Sequence, residues 1–326
     1  MSVLVCGGAG YIGSHTVKEL VRKYEVIVLD NLSTGFTFLL DDQVTFIKGD
    51  LGDSVILDKI FTDYQIDAVF HFAANSLVSE SVQNPLKYYI NNVQSTITLL
   101  DKMVEYKVNK FIFSSTAATY GKPDKDLIVE ETTTNPINPY GLSKLMVEQI
   151  LTSLALVYDF KYVVLRYFNA AGAHKSGEIG ECHNPETHLI PIILKHLLGD
   201  VDKISIYGTD YETKDGTCIR DYIHVTDLAN AHMAAYESLI KNRISNEVYN
   251  LGNGAGYSVK EIIEVCESVS GKEATVEIVP RRNGDPAVLV ASSEKAKRDL
   301  AWEPQNDLHT IIKTAWEWHK KEKFKR

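Results

Sequence analysis

The chain has 326 residues, 44% hydrophobic and 24% charged, enough for one large or two modest domains with a sizeable core. A net charge of −9, spread along the sequence, argues against a nucleic-acid or anionic-membrane surface while leaving room for a local basic pocket. No apolar run approaches a membrane span, the start carries no signal-peptide pattern, and four scattered cysteines match no zinc or disulfide framework, so a reducing, cytoplasmic setting is expected.

Short apolar runs rich in β-branched and aromatic residues recur at 3–5, 26–29, 44–47, 68–72, 111–113 and 162–165. Stretches of helical periodicity lie between them, at 12–22, 54–64, 95–106 and 144–156. Apolar strands alternating with helices predict an α/β fold, a Rossmann-type doubly wound parallel sheet covered on both faces. After Arg166 the rhythm changes: a polar, glycine-bearing loop at 169–186, a helix at 189–198, a strand at 204–207 and a loop at 208–217. Residues 222–239 read as strand, loop and helix, 247–251 as a strand rejoining the first sheet, and 258–270 and 308–320 as amphipathic helices, with a charged loop at 280–286. The expected division is a cofactor domain at 1–168, joined by a segment near 222–252, and a smaller C-terminal α/β substrate domain at 169–326.

The motifs follow the same order. Cys6-Gly7-Gly8-Ala9-Gly10-Tyr11-Ile12-Gly13 links the first strand to the first helix and satisfies G-x-G-x-x-G. A tight turn, a backbone without Cβ and a helix amino terminus together make a pyrophosphate site. Asp30 closes the second strand, where a carboxylate accepts from ribose hydroxyls and repels a 2′-phosphate, favouring NAD over NADP. Gly49-Asp50-Leu51 is a candidate for the adenine edge, and Phe72-Ala73-Ala74 for a loop whose small residues let backbone reach the cofactor. Ser114-Ser115-Thr116 ends the fifth strand on the ligand side, placing a hydroxyl for the reacting substrate oxygen.

Tyr140 and Lys144 stand four apart just after Asn138-Pro139, on one face near a helix start. That spacing by itself is common on solvated helices. Here it follows a dinucleotide fingerprint, and a lysine ammonium beside a phenol favours the phenolate, a base for a sugar or alcohol hydroxyl. Arg220 and the pair Arg281-Arg282 suit phosphate by their fork geometry, with Arg281 expected to remain solvated. His188, His224 and the other histidines show no ligand spacing, so no metal is assigned.

Gly7–Gly13, Asp30-Asn31-Leu32, His71–Ala74, Tyr140–Lys144 and Leu165-Arg166-Tyr167-Phe168-Asn169 resemble the extended short-chain dehydrogenase/reductase family. Arg220–His224 and Arg281–Asp285, followed by Pro286-Ala287, narrow the resemblance to its UDP-glucose 4-epimerases, over nearly the whole chain. The resemblance implies a tightly held NAD and reversible C4 epimerisation of a UDP-hexose, UDP-glucose to UDP-galactose and back. In such enzymes the catalytic groups would be Tyr140, Lys144 and Thr116. The implied cofactor set is Gly7, Gly10, Tyr11, Ile12, Gly13, Asp30, Asn31, Asp50, Leu51, Phe72, Ala73, Ala74, Asn91, Ser114, Tyr140, Lys144 and Tyr167. The implied substrate set is Thr116, Tyr140, Asn169, His188, Leu189, Tyr207, Arg220, Arg282 and Asp285. Relatives form homodimers through a four-helix bundle, with 95–106 and 144–156 the corresponding helices.

Some relatives carry Ser at Thr116, Lys at Ser76 and Asn at His188; Leu289 falls near the position linked to N-acetyl tolerance. Action on UDP-N-acetylglucosamine and UDP-N-acetylgalactosamine, or on another UDP-sugar, is the alternative. Dehydratases and decarboxylases of the same fold need an acid just after the threonine, where this chain has Ala117-Ala118.

Overall fold

A computed structural model of the chain describes residues 1–125, 127–282 and 285–322, with Glu322 by its backbone only. In chain order the first half comprises β1 (Ser2–Cys6), α1 (Tyr11–Leu20), β2 (Glu25–Asp30), β3 (Thr45–Lys48), α2 (Ser54–Asp63), β4 (Ile66–His71), α3 (Val78–Gln83) and α4 (Pro85–Tyr88). A widened π turn (Tyr89–Gln94) leads into α5 (Ser95–Glu105), β5 (Lys110–Thr116), β6 (Leu127–Ile128), α6 (Pro139–Val157) and β7 (Lys161–Tyr167). The second half holds β8 (Asn169–Ala171), α7 (Leu189–Leu198), β9 (Ile204–Tyr207), β10 (Ile219–His224), α8 (Val225–Ile240), β11 (Glu247–Leu251) and β12 (Gly256–Ser258). It ends with α9 (Val259–Ser270), β13 (Val276–Val279), β14 (Val288–Ala291), α10 (Glu294–Leu300) and α11 (Leu308–Glu322).

Seven parallel strands run across the main sheet as β3-β2-β1-β4-β5-β7-β11. The doubly wound α/β class expected from the sequence is the one observed. Side chains alternate along β1, so Val3 and Val5 enter one core and Leu4 and Cys6 the other. The first core packs Val17 and Leu20 of α1 against Leu228, Ala235 and Tyr236 of α8. The second packs α2, α5 and α6 through Leu57, Ile60, Leu99, Met103, Val147 and Leu151. Cys6 is fully buried, and burial pushes its thiol up. Strand order reverses between β1 and β4, which opens a crevice at their carboxyl ends.

A second sheet is built on β10, which pairs with β12, β14 and β8, while β14 pairs with β6. Its central carboxylate, Asp221, is fully buried and accepts from the main-chain N–H of Asn253 (2.7 Å), Gly254 and Ala291 (3.1 Å each). It thereby ties the loop after β11 to β14. A third core of Ile190, Ile193, Leu194, Ile262, Cys266, Ile311 and Ile312 joins α7, α9 and α11. Asn169–Ala171, read as loop, forms strand because Tyr222–His224 lies alongside it in register. Three residues carry too little periodicity to announce that pairing. In the charged loop at 280–286, residues 283 and 284 lie outside the described residues.

Candidate active site

The glycine loop leaves β1 with Gly7 in left-handed backbone (φ 79°), its N–H donating to the Leu29 carbonyl at 2.9 Å. A Cβ at Gly7 would come 2.5 Å from the Ala73 nitrogen, and one at Gly13 2.2 Å from the Gly7 carbonyl oxygen. Those two glycines close-pack backbone on backbone. At Gly10 the nearest atom to a Cβ is 3.4 Å away, so a missing side chain there leaves a concavity over the loop. Gly10 also caps α1 without any side-chain bond, so the first-turn N–H groups face that concavity. Such a cradle fits a dinucleotide pyrophosphate.

Gly7, Gly10, Asp30, Asn31, Asp50, Leu51, Phe72, Ala73, Ala74 and Asn91 line one cleft. Gly49 of the same Gly49-Asp50-Leu51 segment lines it too, as do Ser33, Thr34, Asn75 and Ser95, residues the motifs did not single out. Asp30 accepts from the N–H of Ala9 at 2.9 Å and Leu32 at 2.8 Å, which fixes its carboxylate in the cleft wall. Burial pushes its pKa up, partly offset by those two bonds. Asn31 donates to Asp50 at 2.8 Å and so joins the loops after β2 and β3. Tyr11 turns its hydroxyl away to the Gly172 carbonyl at 2.6 Å, which leaves its main chain, with that of Ile12 and Gly13, as the contribution to the cradle. Asn91 lies in the widened π turn, beside Asn92, whose amide bonds the Ser143 hydroxyl of α6 at 3.0 Å.

Helix α6 starts where Asn138 accepts from the Gly141 N–H at 2.8 Å and Pro139 occupies its first turn. Tyr140, Lys144 and Glu148 then fall on one face, four residues apart. The Tyr140 phenol faces the Thr116 hydroxyl at the end of β5 closely enough for that hydroxyl to favour the phenolate. Lys144 is 3% exposed, lies 4.8 Å over the Phe113 ring and donates to the Ser114 carbonyl at 2.8 Å. Sequence reasoning had Lys144 favouring the phenolate. In the folded chain burial pushes the phenol up, with the Thr116 hydroxyl acting against it. Lys144 is itself pushed down by burial to about 7, with Glu148 opposing. The reason is geometric, since the ammonium is directed to a carbonyl inside the core.

A pH dependence follows. Unfolded, this lysine keeps its proton to about 10.5, whereas folded and free of cofactor it loses it near 7. Between those values the unfolded state binds more protons, so the Lys144 contribution to stability rises with pH. In urea unfolding of cofactor-stripped protein, wild type should gain on Lys144→Met between pH 7 and pH 9.5. A difference that stays constant across that window would count against the assignment.

The Ser114 hydroxyl is 3.1 Å from Nε2 of His232, whose Nδ1 donates to the Leu228 carbonyl. It holds β5 and α8 together under the cleft. His232 and Glu148 were missed, although Glu148 was legible as the third member of the Tyr140–Lys144 face.

On the other side of the crevice, Arg220 donates to Asp285, to the Pro286 carbonyl at 2.8 Å and to the Ile219 carbonyl at 2.7 Å. Arg282 stacks 3.9 Å over the Tyr207 ring, and Asn169 donates to the Asp221 carbonyl at 2.7 Å. The structure thus brings together Arg220 with Asp285, and Arg282 with Tyr207. Arg281 stays exposed, as expected, and there donates to Asp210 at 2.6 Å and lies 4.0 Å over Tyr211. His188 caps α7 just before Leu189. The histidines were read as forming no cluster; His183 and His188 in fact converge with Glu181 and Glu186. An irregular loop has no period, so chain spacing did not signal the convergence. Burial pulls His188 down, but its bonds to Glu181 and Glu186 outweigh that and lift it to about 10.

Residues 3–252 match the NAD dependent epimerase/dehydratase family. The chain belongs to that family. A UDP-glucose 4-epimerase of Halalkalibacterium halodurans is 57% identical over 322 residues, 98% of this chain and 96% of the relative. A crystal structure of a UDP-glucose 4-epimerase superposes with a TM-score of 0.97 at 53% identity, covering 99% of this chain and 98% of that one. The Brucella ovis UDP-glucose 4-epimerase solved with NAD gives a TM-score of 0.94 at 48% identity, covering 97% of each chain. The cleft of this family member has its open glycine, Gly10, at the amino terminus of α1.

Proposed function

We propose that the chain is an isomerase that interconverts UDP-glucose and UDP-galactose at C4 with NAD as its resident cofactor. The observation that supports this is the Tyr140–Thr116 hydroxyl pair, with Lys144 one turn on, at the carboxyl end of β5 in the same parallel sheet whose β1 leads into the Gly10 cradle. Bound NAD supplies the acceptor for the C4 hydride and returns it. Tyr140 takes the proton from the sugar 4-hydroxyl and gives it back, while Thr116 holds the same oxygen. Lys144 orients the nicotinamide ribose from its anchor on Ser114. Between the two hydride transfers the sugar must turn over, so the nucleotide is held and the sugar is not. Arg220 and Arg282 serve the diphosphate, Asp285 the uridine ribose, and Asn169 the diphosphate and sugar, with Tyr207, His188 and Leu189 beside them. Ala117 and Ala118 offer no proton donor after Thr116, which leaves dehydration without its acid. The reading takes 1–168, with the returning segment near 222–252, as the cofactor half and 169–326 as the nucleotide-sugar half.

The test is to incubate purified protein with UDP-galactose and no added cofactor, following UDP-glucose by NMR. Conversion is expected; its absence even with added NAD would defeat the proposal.

The partner in this reading is a second copy, docked through α5 and α6. Val78, Val82, Leu86 and Ile90 recur four apart and are exposed, as are Ile97 on α5 and Met146 on α6, which supports an apolar face between copies. Sedimentation should give twice the chain mass, and Ile97→Glu with Met146→Glu should return a monomer. Among the described residues no helix is long and apolar enough to cross a membrane. Cys6, Cys218 and Cys266 stand as thiols, which supports the cytoplasm as the setting.

A further inference from the structure

The eight residues from Glu181 to His188 lead into α7 and fold into a tight cluster. One ligand atom each from Glu181, His183, Glu186 and His188 lies within 4.8 Å of all the others. The Nδ1 atoms of His183 and His188 are each 2.9 Å from Oε1 of Glu181, and that of His188 is also 2.9 Å from Oε1 of Glu186. Both glutamate side chains are only 4% exposed. Oε2 of Glu186 is buried with no hydrogen-bond partner. Among the described residues no lysine or arginine pairs with either carboxylate. Two buried carboxylates thus have only two imidazoles as ion-pair partners among the described residues, and one carboxylate oxygen is left without a hydrogen bond.

We infer that Glu181, His183, Glu186 and His188 form a divalent-metal site, suited to zinc. Imidazole nitrogen with carboxylate oxygen is a zinc donor set, whereas calcium and magnesium ask for oxygen alone. The intervening Cys182 faces the other way, into a core with Leu39, Ile179 and Trp318. Four protein ligands complete a tetrahedron, so the ion is structural and not catalytic. Zinc bonds near 2.0–2.1 Å hold tetrahedral ligands about 3.3 Å apart, so the 2.9 Å pairs open by about 0.4 Å as the ion takes the place of the hydrogen bonds, each Nδ1 passing its proton to its own Nε2 or to solvent.

The position gives the ion its use. The Glu181 carbonyl accepts from the Trp318 indole at 2.9 Å, and His188 begins α7. The His183 ring lies edge-on, 6.1 Å from the Tyr11 ring, in the first turn of α1. A metal here clamps the connection between β8 and α7 against the start of α1, where the nucleotide-facing segments of the two halves meet. Because His188 also stands in the proposed substrate set, the test reads metal content and stability, not turnover.

The experiment is to dialyse the whole protein against a chelator, desalt it, and titrate it with zinc chloride by calorimetry, with elemental analysis and thermal unfolding in parallel. One zinc per chain is expected. At zinc a hundredfold above its dissociation constant, the unfolding equilibrium constant should fall about 100-fold. His188→Ala, at a side chain 46% exposed and therefore tolerant of truncation, should lose stoichiometric binding, as should His183→Ala. Uptake well below one equivalent by the wild type, a thermal midpoint unmoved by zinc, or full stoichiometry in both variants would each overturn the site.

Discussion

Tyr140→Phe lowers turnover of UDP-galactose by about 10²–10⁴-fold while the fold and the bound NAD persist. In the proposed reaction the phenol and the Thr116 hydroxyl share a proton with the sugar oxygen, and the phenol carries it away. Phenylalanine keeps the ring, including its edge-on contact with Tyr88 at a centroid distance of 6.5 Å, so packing around α6 is retained. The check is kcat by NMR or a coupled assay, alongside NAD content after denaturation and a circular dichroism spectrum. Near wild-type turnover in a folded, NAD-loaded variant would sink the base assignment. Loss of NAD with loss of turnover would instead make the residue a binding element.

The second large effect concerns stability. Glu148→Ala destabilises the protein by about 3–5 kcal/mol, because it leaves a buried guanidinium without its counter-charge. Glu148 accepts from Arg166 at both oxygens, at 3.1 and 2.5 Å, and from the Ser115 hydroxyl, with both charged side chains 7% exposed. Arg166 also lies 4.8 Å over the Tyr120 ring and donates to its hydroxyl, which donates in turn to Asn250 at 2.7 Å. The network joins α6 to β5, β7 and β11, so the helix that carries Tyr140 and Lys144 is fixed by its own next turn. Urea unfolding measures the loss, and the paired variant Glu148→Leu with Arg166→Met should recover most of it by removing both charges. A loss under about 1 kcal/mol for Glu148→Ala would show that water reaches Arg166 and that the pair is not truly buried.

Local pattern alone determined the cofactor half. The fingerprint at Gly7–Gly13, the carboxylate at Asp30 and the Tyr140–Lys144 turn are readable because each uses a short segment whose period or glycine spacing is itself the requirement. The apolar runs of β1, β2, β4 and β5 are readable for a similar reason: strands buried on both faces leave no polar alternation to mistake. Only the tertiary structure decided where side-chain charge goes. Lys144 is directed to the Ser114 carbonyl, Glu148 to Arg166, Arg220 to Asp285, and Ser114 to His232, pairings of residues 18 to 118 positions apart that no local period encodes. The same holds for β8, made a strand by β10, and for Glu181, His183, Glu186 and His188, gathered by an irregular loop. Periodic burial writes itself into sequence because each element meets the core at fixed intervals, whereas buried charges find partners across the fold, and that choice is made only when the sheets and loops close around them.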